Sequence, residues 1–232
     1  MGTASPLAGA VIAFDLDGTL VDTAPDLIGT LNVLLREEGL APLHLDDARP
    51  FIGRGARWMI ERGFLAAGAR LTAERHDGLF DRFLAHYQAH IADQSRPFPG
   101  CVAALEALGA EGARLAVCTN KLTGLSTRLL DALDMTRLFD AVIGADAAPA
   151  IKPDPRHLLT AIAAAGGTPD RAILVGDAAT DAGAARAATV PLILVSFGYT
   201  ETPAADLKPD ILIDHFDELP GACLGLLGPC EP

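Results

Sequence analysis

A series of short apolar runs sets the terms for what this chain can fold into. They lie at 11–14, 115–118, 141–143, 173–175, 192–195 and 211–213, and they end in small or polar residues. They are rich in β-branched side chains and lack the alternation of a strand with one wet face. That pattern predicts strands buried on both faces, as in a parallel sheet. Helix-like stretches separate them, for example 102–110, 126–133, 156–165 and 181–188. Alternation of this kind predicts an α/β fold with a doubly wound, Rossmann-like parallel sheet.

One long interval breaks the alternation. From Thr23 to Gln94 no buried strand is legible, and helical patterns occupy 26–38, 56–67 and 73–91. Leu79, Phe83, Tyr87 and Ile91 recur at helical spacing. The interval reads as an all-helical insertion after the first strand, and Ser95-Arg96-Pro97-Phe98-Pro99-Gly100 as the turn-rich return. The expected division is 1–22 with 96–232 for the α/β core domain and 23–95 for the helical domain. With 232 residues, 50% of them hydrophobic, the chain can bury a core of that size.

Charge narrows the partners. Lys plus Arg total 18 against 30 Asp plus Glu, a net charge of −12. Such a chain repels nucleic acid and anionic membranes at long range, so neither is an expected partner. A small anionic substrate stays open, because a bound cation reverses the field locally. Cys101, Cys118, Cys223 and Cys230 are scattered without a CxxC pair, which is neither a zinc signature nor a disulfide framework. Reduced thiols in a cytoplasmic protein, monomer or homodimer, are the expectation. No basic residue precedes Arg36, so no signal peptide is expected, and the apolar stretch 10–14 is too short to span a membrane. Pro6 stands where a myristoylation signal at Gly2 would need Ser or Thr.

The chemistry is concentrated where apolar runs end. Phe14-Asp15-Leu16-Asp17-Gly18-Thr19-Leu20-Val21-Asp22-Thr23 places two carboxylates one residue apart after the first run. Alternate residues of extended backbone point the same way, and open α/β sheets bind ligands at the carboxyl ends of their strands. Asp-x-Asp-Gly alone can equally be a polar strand ending. Three further segments follow: Val117-Cys118-Thr119-Asn120, then Lys152-Pro153-Asp154-Pro155, then Leu174-Val175-Gly176-Asp177-Ala178-Ala179-Thr180-Asp181. In isolation each has a structural reading, as a helix cap, a solvated lysine or first-turn carboxylates beside a helix dipole.

Together, in this order and spacing, the four segments resemble the haloacid dehalogenase superfamily of phosphatases and phosphomutases. The resemblance covers nearly the whole chain if the helical insertion 23–95 is counted as that family's cap domain. It implies a phosphatase whose nucleophile is Asp15, forming a phosphoaspartate, with Asp17 as general acid and then base. It implies Mg2+ as cofactor, held by the carboxylates of Asp15 and Asp177 and the backbone carbonyl of Asp17, with Asp181 in a supporting role. Thr119 and Asn120 are expected to bind the phosphoryl oxygens, and Lys152 to add a compact positive charge. Ala178 departs from the family pattern, which often has Ser there.

For the substrate, a small phosphate ester, two features resemble phosphoglycolate phosphatases. One is Phe51-Ile52-Gly53-Arg54-Gly55-Ala56, and the other is Lys121 after Thr119-Asn120. Gly53, Arg54, Asn120 and Lys121 are therefore the expected substrate-binding residues, a cation near the ester's tail suiting the carboxylate of 2-phosphoglycolate. An exposed Arg in a helix-to-helix turn is the competing reading of Arg54. A β-phosphoglucomutase or sugar-phosphate phosphatase is the nearest alternative. A haloacid dehalogenase would not call for Asp17, and a phosphonoacetaldehyde hydrolase needs a cap lysine that 23–94 lacks. A receiver-like signalling module, also phosphorylated on Asp, would be much shorter.

Overall fold

A computed structural model describes residues 5–228, so the expectations on Gly2 and Cys230 lie outside the described residues. The chain enters through β1 (Val11–Phe14), every residue of which is buried, and passes a turn to β2 (Val21–Asp22). Four helices follow: α1 (Ala24–Glu37), α2 (Leu45–Ala48), α3 (Ala56–Ala66) and α4 (Ala73–Ala89). The short β3 (Arg96–Pro97) pairs antiparallel with β2, so the chain leaves and re-enters the α/β layer side by side. Thereafter strand and helix alternate as far as β7: α5 (Cys101–Ala110), β4 (Arg114–Cys118), α6 (Thr123–Ala132), β5 (Ala141–Ile143), α7 (Pro155–Ala164), β6 (Ala172–Gly176), α8 (Ala179–Ala188) and β7 (Leu192–Val195); β8 (Ile211–Ile213) follows β7 across a short 3-10 turn, and α9 (Leu219–Leu227) comes last.

The main sheet is six-stranded, in the order β5-β4-β1-β6-β7-β8, and every pair is parallel. Successive strand residues serve opposite faces. Ile12, Phe14, Leu115, Val117, Ile173 and Val175 join α5, α6 and α9 in one cluster, while Val11, Ala13, Ala116 and Leu174 join α7 and α8 in another. Covering both faces is what removes the polar alternation from the sequence. Each fully buried Leu, Ile or Val contributes about 1.5–3 kcal/mol, so these two clusters supply much of the fold's stability. The order of strands reverses beside β1, which has β4 on one side and β6 on the other. Phe14 is in register with both Val117 and Val175, and the residues following these three strands are thereby brought together.

A third cluster belongs to the helices after β2. Ile28, Leu31 and Leu35 of α1 meet Met59, Ile60 and Phe64 of α3 and Leu79, Phe83 and Tyr87 of α4. The helical spacing of Leu79, Phe83 and Tyr87 is the stripe that buries α4. Pro25 opens α1, with Asp26 in its first turn and Arg36 in its last, both complementing the helix dipole. Asp26 also accepts hydrogen bonds from the Ser95 amide (2.8 Å) and hydroxyl (2.6 Å), fastening the returning chain to the outgoing one. Four elements escaped the sequence reading: β2 and β3, two residues each, the four-residue α2, and α9, whose sequence LPGACLGLL is apolar nearly throughout and glycine-interrupted, so its core-facing residues do not stand out. Among the described residues no helix is long and apolar enough to cross a membrane.

Candidate active site

Asp15 follows β1 directly, and its amide donates to the Val175 carbonyl, which fixes the backbone between the flanking strands. The carboxylate is 2% exposed. Its Oδ1 accepts from the Leu16 amide (2.7 Å) and lies 3.0 Å from Lys152 Nζ. Lys152 comes from the loop between β5 and α7 and is buried, with Nζ also donating to Asp181 Oδ1 at 2.7 Å. Burial opposes the lysine's charge, but Asp15 and Asp181 outweigh it and hold the ammonium above its ordinary range. Burial pushes the Asp15 carboxyl up to about 6; Lys152 pulls it down and Asp181 adds to the rise.

Asp177 closes β6. Its Oδ1 accepts from the Thr19 hydroxyl (2.8 Å) and its Oδ2 from the Tyr199 amide (2.7 Å). Asp181, in the first turn of α8, accepts the Ala178 amide on Oδ2 at 3.1 Å, so its two oxygens serve the helix start and Lys152 separately. Burial, then Asp181 and Asp15, push the Asp177 carboxyl well above the ordinary carboxylate value. Oxygens of Asp15, Asp177 and Asp181 all lie within 4.8 Å of one another. Three buried carboxylates so close repel one another, and one lysine compensates only part of that charge. An all-oxygen acidic cluster of this kind suits a hard divalent cation. The glycines around it are required by space: a Cβ on Gly176 would stand 2.4 Å from Asp181 Cγ, and one on Gly18, whose φ is +85°, would stand 2.7 Å from Asp177 Oδ2.

Asp17 is placed apart from this cluster. Lys121 Nζ donates to both its oxygens, at 2.9 and 3.0 Å, and also sits 4.6 Å from the centre of the Tyr87 ring. Burial opposes the Lys121 charge, yet Asp17 holds it above the ordinary lysine range. Thr119 ends β4 and is buried, its amide bonded to the Ile143 carbonyl. Asn120 does more than an expected backbone donor would. Its Nδ2 donates to the carbonyls of Gly53 and Lys152 (3.1 Å each), and its Oδ1 accepts the Lys152 amide at 2.9 Å. One side chain thus ties the lysine loop to the loop before α3.

That loop roofs a cavity of about 280 Å³ whose floor carries Asp15, Asp17, Thr119 and Lys121 and whose far wall is Phe80, Phe83 and Tyr87. Gly53 and Gly55 both have positive φ, 98° and 89°, bringing the loop over the site. Arg54 between them borders the cavity; its guanidinium lies 4.7 Å from the Trp58 ring centre and makes no ion pair among the described residues. Asp15, Lys152, Asp177 and Asp181 therefore form one buried charged cluster, Asp15 also lines the cavity with Asp17, Thr119 and Lys121, and Gly53 and Arg54 border it. The sequence reading missed Thr19, Tyr199 and the lysine platform of Tyr87. Thr19 lay within the recognisable DLDGTLVDT string; Tyr199 follows no motif and is found only by its contact.

Known proteins resemble this chain over most of its length. The family model for haloacid dehalogenase-like hydrolases matches residues 12–195. The chain is 57% identical over 230 residues to the phosphoglycolate phosphatase of Caulobacter vibrioides, covering 99% of this chain and 97% of that protein. It is 47% identical over 217 residues to the phosphoglycolate phosphatase of Agrobacterium fabrum, covering 94% and 93%. The crystal structure of a predicted phosphoglycolate phosphatase from Haemophilus somnus superposes with a TM-score of 0.85 at 31% identity, over 92% of this chain and 97% of that one.

Proposed function

Since this chain belongs to the haloacid dehalogenase-like hydrolases and is a phosphoric monoester hydrolase, we propose that it hydrolyses 2-phosphoglycolate through a phosphoaspartate on Asp15, with Mg2+ as cofactor. The observation that carries the reading is the setting of Asp15. Leu16 N–H and Lys152 Nζ both engage Oδ1, and Oδ2, which carries neither of these bonds, is the attacking oxygen. Its attack forms the O–P bond as the ester oxygen departs, splitting one slow displacement into two faster ones. Asp17 acts as acid toward the leaving oxygen in its protonated form, the proton taking the place of one of its two bonds from Lys121, and then as carboxylate takes a proton from the water that cleaves the phosphoenzyme. Thr119 and the amide of Asp17 receive the phosphoryl oxygens, and Lys152 holds positive charge beside them.

Mg2+, held by Asp15, Asp177 and the Asp17 carbonyl with Asp181 in support, would supply the charge that screens an anionic ester from an anionic nucleophile. The raised carboxyls set a sign for that binding. Below about pH 6 the Asp15 carboxyl keeps its proton, so a cation must displace it. Calorimetry in buffers of different ionisation enthalpy is expected to show proton release on Mg2+ binding that grows as pH falls toward 6, with affinity falling in parallel. Affinity independent of pH between 5 and 8 would count against Asp15 as a ligand.

Residues 23–95 serve in this reading as a cap that closes the pocket and reads the leaving group. Arg54 and Lys121 border the cavity as cations. Lys121, paired with Asp17 and packed against Tyr87, adds positive charge at the cavity that suits a carboxylate tail. Arg54→Ala is expected to lower kcat/KM for 2-phosphoglycolate about 10- to 100-fold, the range of a lost charge-assisted hydrogen bond. The loss on an aryl phosphate without a carboxylate should stay under about 3-fold, and equal losses on both would remove Arg54 from recognition. Cys101, Cys118 and Cys223 are buried, burial pushing each thiol up to about 12, which makes them poor nucleophiles and leaves them no part in this chemistry. The deciding experiment is a phosphate-release screen over 2-phosphoglycolate, sugar phosphates, pyrophosphate and nucleotides, with and without Mg2+. Isomerised sugar phosphate in place of free phosphate would select the mutase alternative.

A further inference from the structure

The loop after β7 makes a contact that the mechanism leaves unused. Tyr199 is 4% exposed, and its two polar ends face different parts of the molecule. Its backbone N–H donates to Asp177 Oδ2 at 2.7 Å. Its hydroxyl accepts the amide of Ala24, the first residue of α1, at 3.1 Å, and donates to Asp22 Oδ1. Asp22 in turn pairs with Arg49, before the loop that roofs the cavity, at 3.3 Å, and the Arg49 guanidinium lies 5.4 Å from the Tyr199 ring centre.

Nothing in this chain of contacts is slack. The hydroxyl is the cap that α1 lacks locally, because Thr23 at the helix start makes no side-chain capping bond. The ring lies against the turn after the nucleophile, where a Cβ on Gly18 would stand 2.7 Å from Tyr199 Cδ2. A Cβ on Gly198 would stand 2.1 Å from Asp177 Cβ, so the loop is pressed against that carboxylate. Tyr199 is also the one buried member of the helical cluster that comes from after residue 87.

We propose that Tyr199 is a positioning residue that couples occupation of the Asp15–Asp177–Asp181 cluster to the orientation of the helices 24–89. The inference rests on the function proposed above, in which that cluster holds Mg2+ and those helices form the cap. A ligand shifts a conformational equilibrium only through contacts that differ between the two states. Asp177 supplies the difference: its repulsion from Asp15 and Asp181 is relieved by a cation. Tyr199 carries the resulting shift to Asp22 and Ala24, where the chain crosses to α1.

Linkage makes the coupling measurable from either end. Asp22→Asn, remote from the cluster, is expected to weaken Mg2+ binding about 5-fold by calorimetry, within the usual range of such couplings. Tyr199→Phe keeps the ring and the backbone N–H on Asp177 but lacks the hydroxyl; in that background Asp22→Asn should change the Mg2+ Kd less than about 2-fold. In the same proteins, Mg2+ should slow amide exchange of residues 27–31 about 5-fold with tyrosine present and less than about 2-fold with phenylalanine. A merely structural role would speed exchange equally with and without Mg2+. The proposal is overturned if Asp22→Asn leaves the Kd unchanged, if its effect adds fully to that of Tyr199→Phe, or if the Mg2+ effect on exchange survives in Tyr199→Phe. Should the unaltered protein bind no Mg2+, the metal-dependent function itself fails and this coupling with it; intact binding without coupling overturns the coupling alone.

Discussion

Asp15→Asn is expected to lower phosphate release by a factor on the order of 10⁴ or more, the scale on which loss of a covalent nucleophile is felt. The amide is nearly isosteric with the carboxylate, so it fits a site that is 2% exposed and keeps an oxygen for the Leu16 amide. What it lacks is the charge that makes the second oxygen a nucleophile. The fold should persist, because the strand register around Phe14 does not involve this side chain. Stopping the reaction in acid should leave label from a radiolabelled ester on the unaltered protein and none on the variant. Undiminished turnover in Asp15→Asn would falsify the covalent mechanism.

Lys152→Met should disturb both rate and stability. The lysine is the positive charge set between Asp15 and Asp181, at 3.0 and 2.7 Å. Loss of a charge aimed at the transferring group costs about 10²–10³ in kcat. Removing one partner of a buried ion pair leaves uncompensated charge behind, typically about 3–5 kcal/mol of destabilisation. The pH dependence follows from the direction of the shifts. Asp15 already titrates near 6 when folded against an ordinary 3.8, and Asp177 lies well above that value. Without Lys152, which pulls the Asp15 carboxyl down, Asp15 rises further. A folded state that binds more protons than the unfolded one loses stability as pH rises. Denaturant unfolding should therefore show the deficit of Lys152→Met to be largest at pH 7–8 and to shrink toward pH 5. Mg2+ should restore part of it at neutral pH. A deficit that grows toward acid would mean that the cluster is not held together as described.

The sequence was most legible where one physical constraint acts on consecutive residues. A strand covered on both faces has no choice but to be apolar throughout, so Val11–Phe14 and Leu192–Val195 announced themselves. Helix α4 did so through Leu79, Phe83 and Tyr87. The motif residues Asp15, Thr119, Lys152 and Asp177 were readable only jointly, by their order and spacing, since each alone has a structural reading. Asn120 was legible as a residue but not as a brace, since its three bonds reach Gly53 and Lys152, distant in sequence.

Local order thus determined the doubly wound sheet, the helical interruption and the identity of the charged groups that converge. Tertiary structure alone paired Lys121, expected only to bind substrate, with Asp17. It also set Tyr199 between Asp177 and the start of α1, across a separation of 175 residues. The physical reason is range: strand and helix patterns are written by neighbours a few residues apart, whereas a buried charge finds its partner only after the chain has packed.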